Sequence, residues 1–259
     1  MAIEQRVYKA QAGVAWYKAA WQIFKLQPGT FILMQAVMGS LGLIALFFPV
    51  LQIAAGLATP FLTAGFYQAI LMRQQGKKIA VADIFAPFGL AGRRLGLFRL
   101  GLYQIGAGMV LMLLASWLFK DAIAVMEQYA GQPDLAAQYM VESIHAANVI
   151  LFVSALSFYL MCFAYAVPLV FYQPTLTLLS VFKVSLSVFW HNMAAVSVFG
   201  GIFSVLIIVS LPLSFIPLLL LMPISYIAFF VSFQAMFMSK IVSDTEQKPE
   251  VSGTGRFDA

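Results

Sequence analysis

The chain has 259 residues, of which 62% are hydrophobic and only 10% are charged, and its mean hydropathy is +0.91. A soluble domain carries roughly a quarter charged residues on its surface, so this composition excludes a soluble globular protein and predicts one that faces lipid. The net charge of +5 does not indicate nucleic acid as a partner, because the basic residues lie between long apolar runs. The single cysteine, Cys162, excludes an intrachain disulfide.

The first predicted element is an amphipathic helix over residues 8–27, within an N-terminal segment 1–28. At helical spacing one stripe is polar, formed by Gln11, Lys18, Gln22 and Lys25. The opposite face is apolar, formed by Trp16, Tyr17, Ala20, Ile23 and Phe24, with Trp21 beside it. Such a helix is expected to lie in the headgroup layer. The expected membrane-interface anchors are Trp16, Trp21, Lys18, Lys25 and, further along, Trp190. Charges continue through this segment, so no cleaved signal peptide is expected.

Runs without charge predict six transmembrane helices in a membrane domain over residues 29–242. A span needs about 20 apolar residues, and Leu26 to Met72 is long enough for two, divided around Pro49 and Ala58 to Pro60. Val184 to Ser239 holds the last two, divided around Pro212 and Pro217. The predicted spans are 29–49, 54–73, 97–119, 148–171, 193–214 and 217–239. The fold class is therefore all-α, a polytopic membrane helix bundle with additional interfacial helices.

The distribution of charge predicts the orientation. Lysine and arginine concentrate in cytoplasmic loops, and with six spans nearly all of them fall on one side, where both termini also lie. The other side has Lys120 as its one basic residue. That side carries the segment 120–147, which Gly131 to Pro133 divides into two short helices of an outer cap. The tail 243–259 has the composition of a disordered segment. The expected location is a bacterial inner membrane, with anionic lipid headgroups as partners at the cytoplasmic face and protein partners unknown.

Two segments of the chain are similar at an offset of about 163 to 166 residues. Tyr17 to Phe24 matches Phe182 to Phe189 in chemical type, and Tyr67 to Met72 matches Phe233 to Met238. Pro49 and Pro60 correspond to Pro212 and Pro223. This order predicts a parallel internal repeat in which an interfacial helix and two spans recur. The alternation of Val184 to Val188 alone would favour a strand, but the repeat and the membrane context favour a helix.

The N-terminal helix with Trp16 and Trp21, closed by Pro28 and followed by six spans and an echo of the first helix, resembles a family of uncharacterised multi-span proteins of bacterial inner membranes. The resemblance covers nearly the whole chain. It implies an architecture and a location, and it implies no activity and no site residues.

The spans contain no ionisable residue of the kind that marks a proton relay. Their polar residues include Gln68 and Gln234, which the repeat pairs; they are candidate polar contacts at the repeat interface, acting either in helix packing or in contact with a polar substrate. Glu142 and His145 form half of a carboxylate-bridged metal motif without a second half. No catalytic residue, metal site or cofactor is expected.

These observations leave two main hypotheses for function. The first is a membrane protein without catalysis, acting as a scaffold, assembly or envelope-maintenance component. The alternative is a permease or carrier for an apolar or lipid-like solute, since repeated halves with proline-interrupted spans are typical of transporters. A cavity at mid-membrane would discriminate the two. An enzyme is not expected; its acid–base groups would have to lie near Asp83, Arg93 and Arg94.

Overall fold

The computed structural model describes residues 6–213 and 217–238, and all secondary structure in these ranges is helical. The helices are α1 (Gln11–Phe24), α2 (Pro28–Phe47), α3 (Pro49–Gln74), α4 (Ala86–Gly89), α5 (Arg94–Leu118), α6 (Lys120–Gln128), α7 (Pro133–Ser143), α8 (Ala146–Phe163), α9 (Ala166–Tyr172), α10 (Leu178–His191), α11 (Met193–Ser210) and α12 (Leu218–Phe233). Short 3₁₀ segments cover Val81–Phe85 and Leu211–Leu213, and a π-helical turn covers Gln234–Met238.

Six helical segments are long and apolar enough to cross a membrane, so the protein is an integral membrane protein. They are Pro28–Phe47, Val50–Gln74, Arg94–Leu118, Ala146–Tyr172, Met193–Ser210 and Leu218–Phe237. The prediction of an all-α polytopic bundle is confirmed. Arg73, Lys77 and Arg93 lie between the second and the third span and so share one end of the bundle, here called the basic end. Asp121, Glu127 and Glu142 lie at the other, acidic end.

The break between the first two spans is at Phe48, whose backbone is extended, and Pro49 occupies the first turn of α3. The expected break at Ala58 to Pro60 is wrong, because α3 runs through Pro60. A proline in a helix removes one backbone donor, and membrane helices tolerate it where side chains satisfy the freed groups. The carbonyl that loses its donor here is that of Gly56, and the Thr59 hydroxyl donates to the preceding carbonyl, that of Ala55, at 2.7 Å.

The fourth span is interrupted at Ala164 and Tyr165, between α8 and α9. Pro168 lies in the first turn of α9, where it has no N–H for the carbonyl four residues earlier. The Ser185 hydroxyl of α10 occupies the interruption: it donates to the Met161 carbonyl at 2.8 Å and accepts from the Tyr165 N–H at 3.1 Å. The helix α10 is therefore hydrogen-bonded to the half of this span that lies toward the basic end.

The first helix packs against protein along its apolar face. Its neighbours are α11 and α12, with α3 at its end, and Trp16, Ala20 and Phe24 are buried. Gly13 allows the closest approach, because a Cβ there would be 2.6 Å from the Ala195 carbonyl oxygen. The polar stripe that the sequence predicts is exposed. The helix therefore lies across the basic end of the bundle and covers it.

The connection between α3 and α5 is more than a loop at the basic end. Its 3₁₀ segment and α4 pack along α3, so that the buried Ile84 meets Gly65 and Phe88 stacks on Phe61 with centroids 4.5 Å apart. Phe61 lies near the middle of α3. The sequence pattern marks these residues only as a connection outside the spans and does not predict this return along α3.

The order of elements in the two similar segments is the same, but their surroundings differ. Each consists of a short amphipathic helix and two spans, α1 to α3 and α10 to α12. A two-fold arrangement would place α10 against α2 and α3, as α1 lies against α11 and α12. Instead α10 packs against α8 and α9. Superposition of the two halves therefore stays a prediction, and the packing of the interfacial helices gives it no support.

At the acidic end, α6 and α7 pack on each other, with Tyr129 stacked on Tyr139 at 5.1 Å. They form two short helices divided where the sequence predicts. The tail 243–259 and the outermost N-terminal residues lie outside the described residues, and so does the prediction of disorder for the tail.

Candidate functional site

A cavity of about 340 Å³ lies among the spans near mid-membrane depth. Its walls come from α3, α5, α11 and α12, with the α8–α9 interruption at one side. Thr63, Gln104 and Ser225 each lie near the middle of their span. The volume is at the lower end of the roughly 300–1,000 Å³ range of small-molecule sites.

Polar groups converge on this cavity from three helices. Thr59, Thr63 and Tyr67 recur every fourth residue and so share one face of α3. Gln104 faces them from α5, and α12 contributes a pair of hydroxyls. Within the described residues, the side chains of Thr63, Tyr67, Gln104 and Tyr226 have no hydrogen-bond partner. Polar groups in a membrane interior normally find partners, so this lining is suited to hydrogen-bonding a solute or water.

The remaining walls of the cavity are apolar and largely aromatic: Phe163, Ala164, Val167, Phe199, Phe203, Met222 and Phe229. No lining residue carries a formal charge. A charged solute would have to give up hydration without a counter-charge, which costs several kcal/mol. The cavity is therefore suited to a neutral molecule with an apolar body and a few hydrogen-bonding groups.

A second cavity of about 140 Å³ lies between α2 and α3 and shares Thr59 and Tyr226 with the first. Gln35 lines it, and the Gln35 Oε1 is buried without a hydrogen-bond partner within the described residues. A buried acceptor left unpaired costs about 1–3 kcal/mol. The two cavities together offer a continuous series of hydrogen-bonding groups.

Tyr17 of α1 does not line the cavity but packs against two residues of its wall. Its ring stacks on Phe199 with centroids 5.0 Å apart, and its hydroxyl lies 3.4 Å from the Ser225 Oγ; both of these partners line the cavity. Burial raises the pKa of Tyr17, and the hydrogen bond with Ser225 offsets part of that rise. The hydroxyl therefore stays protonated at neutral pH, and α1 places a neutral polar group beside the cavity wall.

The two glutamines that the sequence pairs are not brought together. Gln234 forms a reciprocal pair with Gln74, in which each amide nitrogen donates to the other oxygen at 2.8 and 2.9 Å. The Gln68 Oε1 is buried without a partner within the described residues. Neither lines the cavity. The hydrogen bonds of the Gln234 side chain are thus made to a neighbouring helix, which is what a role in helix packing, rather than in substrate contact, would require.

The expected interface anchors lie in different surroundings. Trp16 is 4% exposed and packs within the protein, whereas Trp21 and Trp190 are 51% and 63% exposed. Lys18 and Lys25 are exposed on the free face of α1. Periodicity identified the face of α1 that is buried but did not say that protein rather than lipid covers it.

Asp83, Arg93 and Arg94 do not form a shared site. The Asp83 carboxylate accepts from the Ala80 N–H at 2.8 Å, and the Arg93 guanidinium lies over the Phe171 ring at 4.8 Å. Among the described residues, no group of three His, Cys, Asp or Glu side chains is arranged to hold a metal ion. The cavity, rather than this cluster, is the site whose geometry could serve a ligand.

The cavity residues are not predicted as a set by the sequence, although it holds one signal for them. The i, i+4, i+8 spacing of Thr59, Thr63 and Tyr67 places three hydroxyls on one face of an otherwise apolar helix. The partners from α5 and α12 have no such pattern and meet α3 only through tertiary packing. The chain matches no family model, no curated protein and no solved structure.

Proposed function

We propose that the protein is a permease or carrier for a neutral, lipid-like solute with a few hydrogen-bonding groups. The observation that carries this proposal is the mid-membrane cavity, whose uncharged lining includes four polar side chains without partners in the described residues. Carriers hold their substrates near the bilayer midplane. The setting we propose is a bacterial inner membrane with both termini in the cytoplasm, which the charge distribution and the resemblance to inner-membrane proteins support.

A lateral route into the cavity supports a solute that arrives from the lipid phase. Phe163 lines the cavity and also a lipid-facing groove between α5 and α8. Its ring rests on Phe182 of α10 with centroids 4.8 Å apart. Phe163 is the one residue that lines both the groove and the cavity. The route that we propose for a solute from the bilayer therefore passes Phe163.

The test is identification of small molecules that co-purify with the full-length protein in mild detergent. Thr63→Phe fills the cavity, and Ile53→Phe places the same ring on the lipid-facing side of the same helix, where Ile53 is 58% exposed. The proposal expects a neutral small molecule with the wild type and Ile53→Phe, and its loss with Thr63→Phe. Equal retention by both variants would overturn it.

A scaffold or assembly role is the second candidate, favoured by the closed Gln74–Gln234 pair, which fixes α3 to the π-helical turn after α12. Under that role the cavity is a packing defect. The same purification would then recover partner proteins but no cavity-dependent small molecule, and Thr63→Phe would raise the apparent melting temperature because it fills empty space.

A further inference from the structure

Two apolar grooves on the lipid-facing surface meet at one lysine. The first, of about 790 Å³, lies among α5, α8 and α10. The second, of about 540 Å³, lies between α8 and α10. Phe158, Lys183 and Leu186 line both of them. The grooves are therefore separated by a ridge of Phe158 and Leu186, with Lys183 beside that ridge.

Of the lysine, arginine, aspartate and glutamate residues, Lys183 alone lines either groove. His191 also lines the second groove, where its Nδ1 lies 2.7 Å from the Ser187 carbonyl oxygen. Lys183 is exposed, and the structure gives it no hydrogen bond or ion pair within the described residues. The acidic side chains of those residues do not supply a counter-charge, because Asp83 is bonded within its own loop and the others lie at the acidic end. An ammonium group beside membrane-spanning helices is costly unless it meets an anion or extends to the headgroups.

The depth of Lys183 is set by its neighbour two residues along. Ser185 is bonded to Met161 and Tyr165, which lie in the half of the fourth span toward the basic end. Trp190, a residue type that prefers the water–lipid boundary, lines the second groove and is 63% exposed. Lys183 therefore lies in the half of the membrane toward the basic end, and its long side chain can extend from there toward the phosphate layer.

We propose that Lys183 and the two grooves bind one two-chain anionic phospholipid, with its phosphate against Lys183 and one acyl chain in each groove. Two observations support this assignment. The positive charge of Lys183 complements a negative phosphate, and the two apolar grooves that share Lys183 match the two acyl chains of one lipid. The site does not rest on the proposed carrier function, because it lies on the outside of the bundle and needs no passage of solute.

The experiment titrates the delipidated full-length protein in detergent with phosphatidylglycerol or phosphatidylcholine of identical chains, and native mass spectrometry counts the lipids bound. The wild type is expected to bind one phosphatidylglycerol more tightly than phosphatidylcholine. A lysine near a membrane surface attracts anionic lipid. Because Lys183→Gln removes this attraction, its affinity for phosphatidylglycerol should be about fivefold weaker than that of the wild type. Lys183→Arg should keep the preference.

Two control variants are needed. One tests whether any positive charge at this end of the bundle has the same effect as Lys183, and the other tests whether the grooves themselves bind the lipid. Lys78→Gln removes one positive charge at the same end of the bundle, outside the grooves, and should leave the preference unchanged. Gly106→Trp fills the first groove, since a Cβ at Gly106 meets no heavy atom within 4 Å, and should weaken both lipids alike.

Three results would overturn the site: an unchanged preference in Lys183→Gln, an equal loss in Lys78→Gln, or displacement of phosphatidylglycerol by inorganic phosphate alone. Cys162 gives an independent readout, because it lines the first groove and is the chain's single cysteine. Phosphatidylglycerol should slow its alkylation by N-ethylmaleimide in the wild type and much less in Lys183→Gln. Equal protection in both would also overturn the proposal.

Discussion

The helices α1 and α10 are similar in sequence and meet very different surroundings. With an offset of 165 residues, the buried Trp16 and Ala20 of α1 correspond to the buried Val181 and Ser185 of α10. The buried register is thus shared. Yet α1 covers the basic end against α11 and α12, whereas α10 fills an interruption in the fourth span.

The difference changes what matched residues do. Tyr17 contacts the cavity wall at Phe199 and Ser225, while its counterpart Phe182 packs against Phe163 and faces the lipid groove. Lys18 is exposed on the outer face of α1, and its counterpart Lys183 borders two grooves. A similar amphipathic pattern therefore specifies which side of a helix is buried, and the neighbouring spans decide what that side contacts.

The largest loss of stability is expected from Gly13→Ala, which would disrupt the packing of α1 against α11. The added Cβ would lie 2.6 Å from the Ala195 carbonyl oxygen and 2.9 Å from the Phe199 nitrogen. Both are backbone atoms, so the helix itself must shift, at a cost of about 3 kcal/mol. Thermal unfolding of the purified protein in detergent measures the loss. Gly200→Ala, where a Cβ meets nothing within 4 Å, is the control; equal effects of the two would contradict the close packing.

A smaller loss of stability is expected from Ser185→Ala, which removes the hydrogen bonds that join α10 to the fourth span. The Tyr165 N–H and the Met161 carbonyl both lose their side-chain partner, and leaving such buried groups unpaired costs about 2 kcal/mol. The same unfolding assay applies. In Ser154→Ala the hydroxyl removed is exposed and bonds only within its own helix, to Ile150, so that variant should change stability by less than about 0.5 kcal/mol.

The smallest effect on stability is expected from Tyr17→Phe, which gives α1 the aromatic residue that α10 has. The stack on Phe199 remains, and only the 3.4 Å hydrogen bond to Ser225 is lost. A bond of this length is weak, so the loss should be about 0.5 kcal/mol. Tyr139→Phe, on the partly exposed α7, should have no effect. A loss above that of Ser185→Ala would show that the hydroxyl does more than form this one bond.

The spans were predictable because charge is costly in hydrocarbon, and the six apolar helices therefore lie largely within the long runs without charge. The interruption at Tyr165 and the return of Ile84 along α3 were not predicted, since both depend on contacts between segments distant in sequence. Pro60 shows the same limit: the residue type indicates a break, and α3 nevertheless runs through it.

The most direct test of the carrier proposal is the accessibility of the cavity to water-borne reagents. In a Cys162→Ser background, a cysteine replaces Ser225, which lines the cavity, or Ala228, which is buried on the same helix and does not line it. Sealed vesicles of either orientation are treated with an uncharged maleimide that carries a polar sugar group and crosses membranes poorly, because the uncharged cavity should admit a neutral reagent. If the protein is a carrier, Ser225→Cys reacts in vesicles exposing the basic end, and Ala228→Cys does not react. If Ser225→Cys is as unreactive as Ala228→Cys in both orientations, the cavity is sealed and the carrier proposal is wrong.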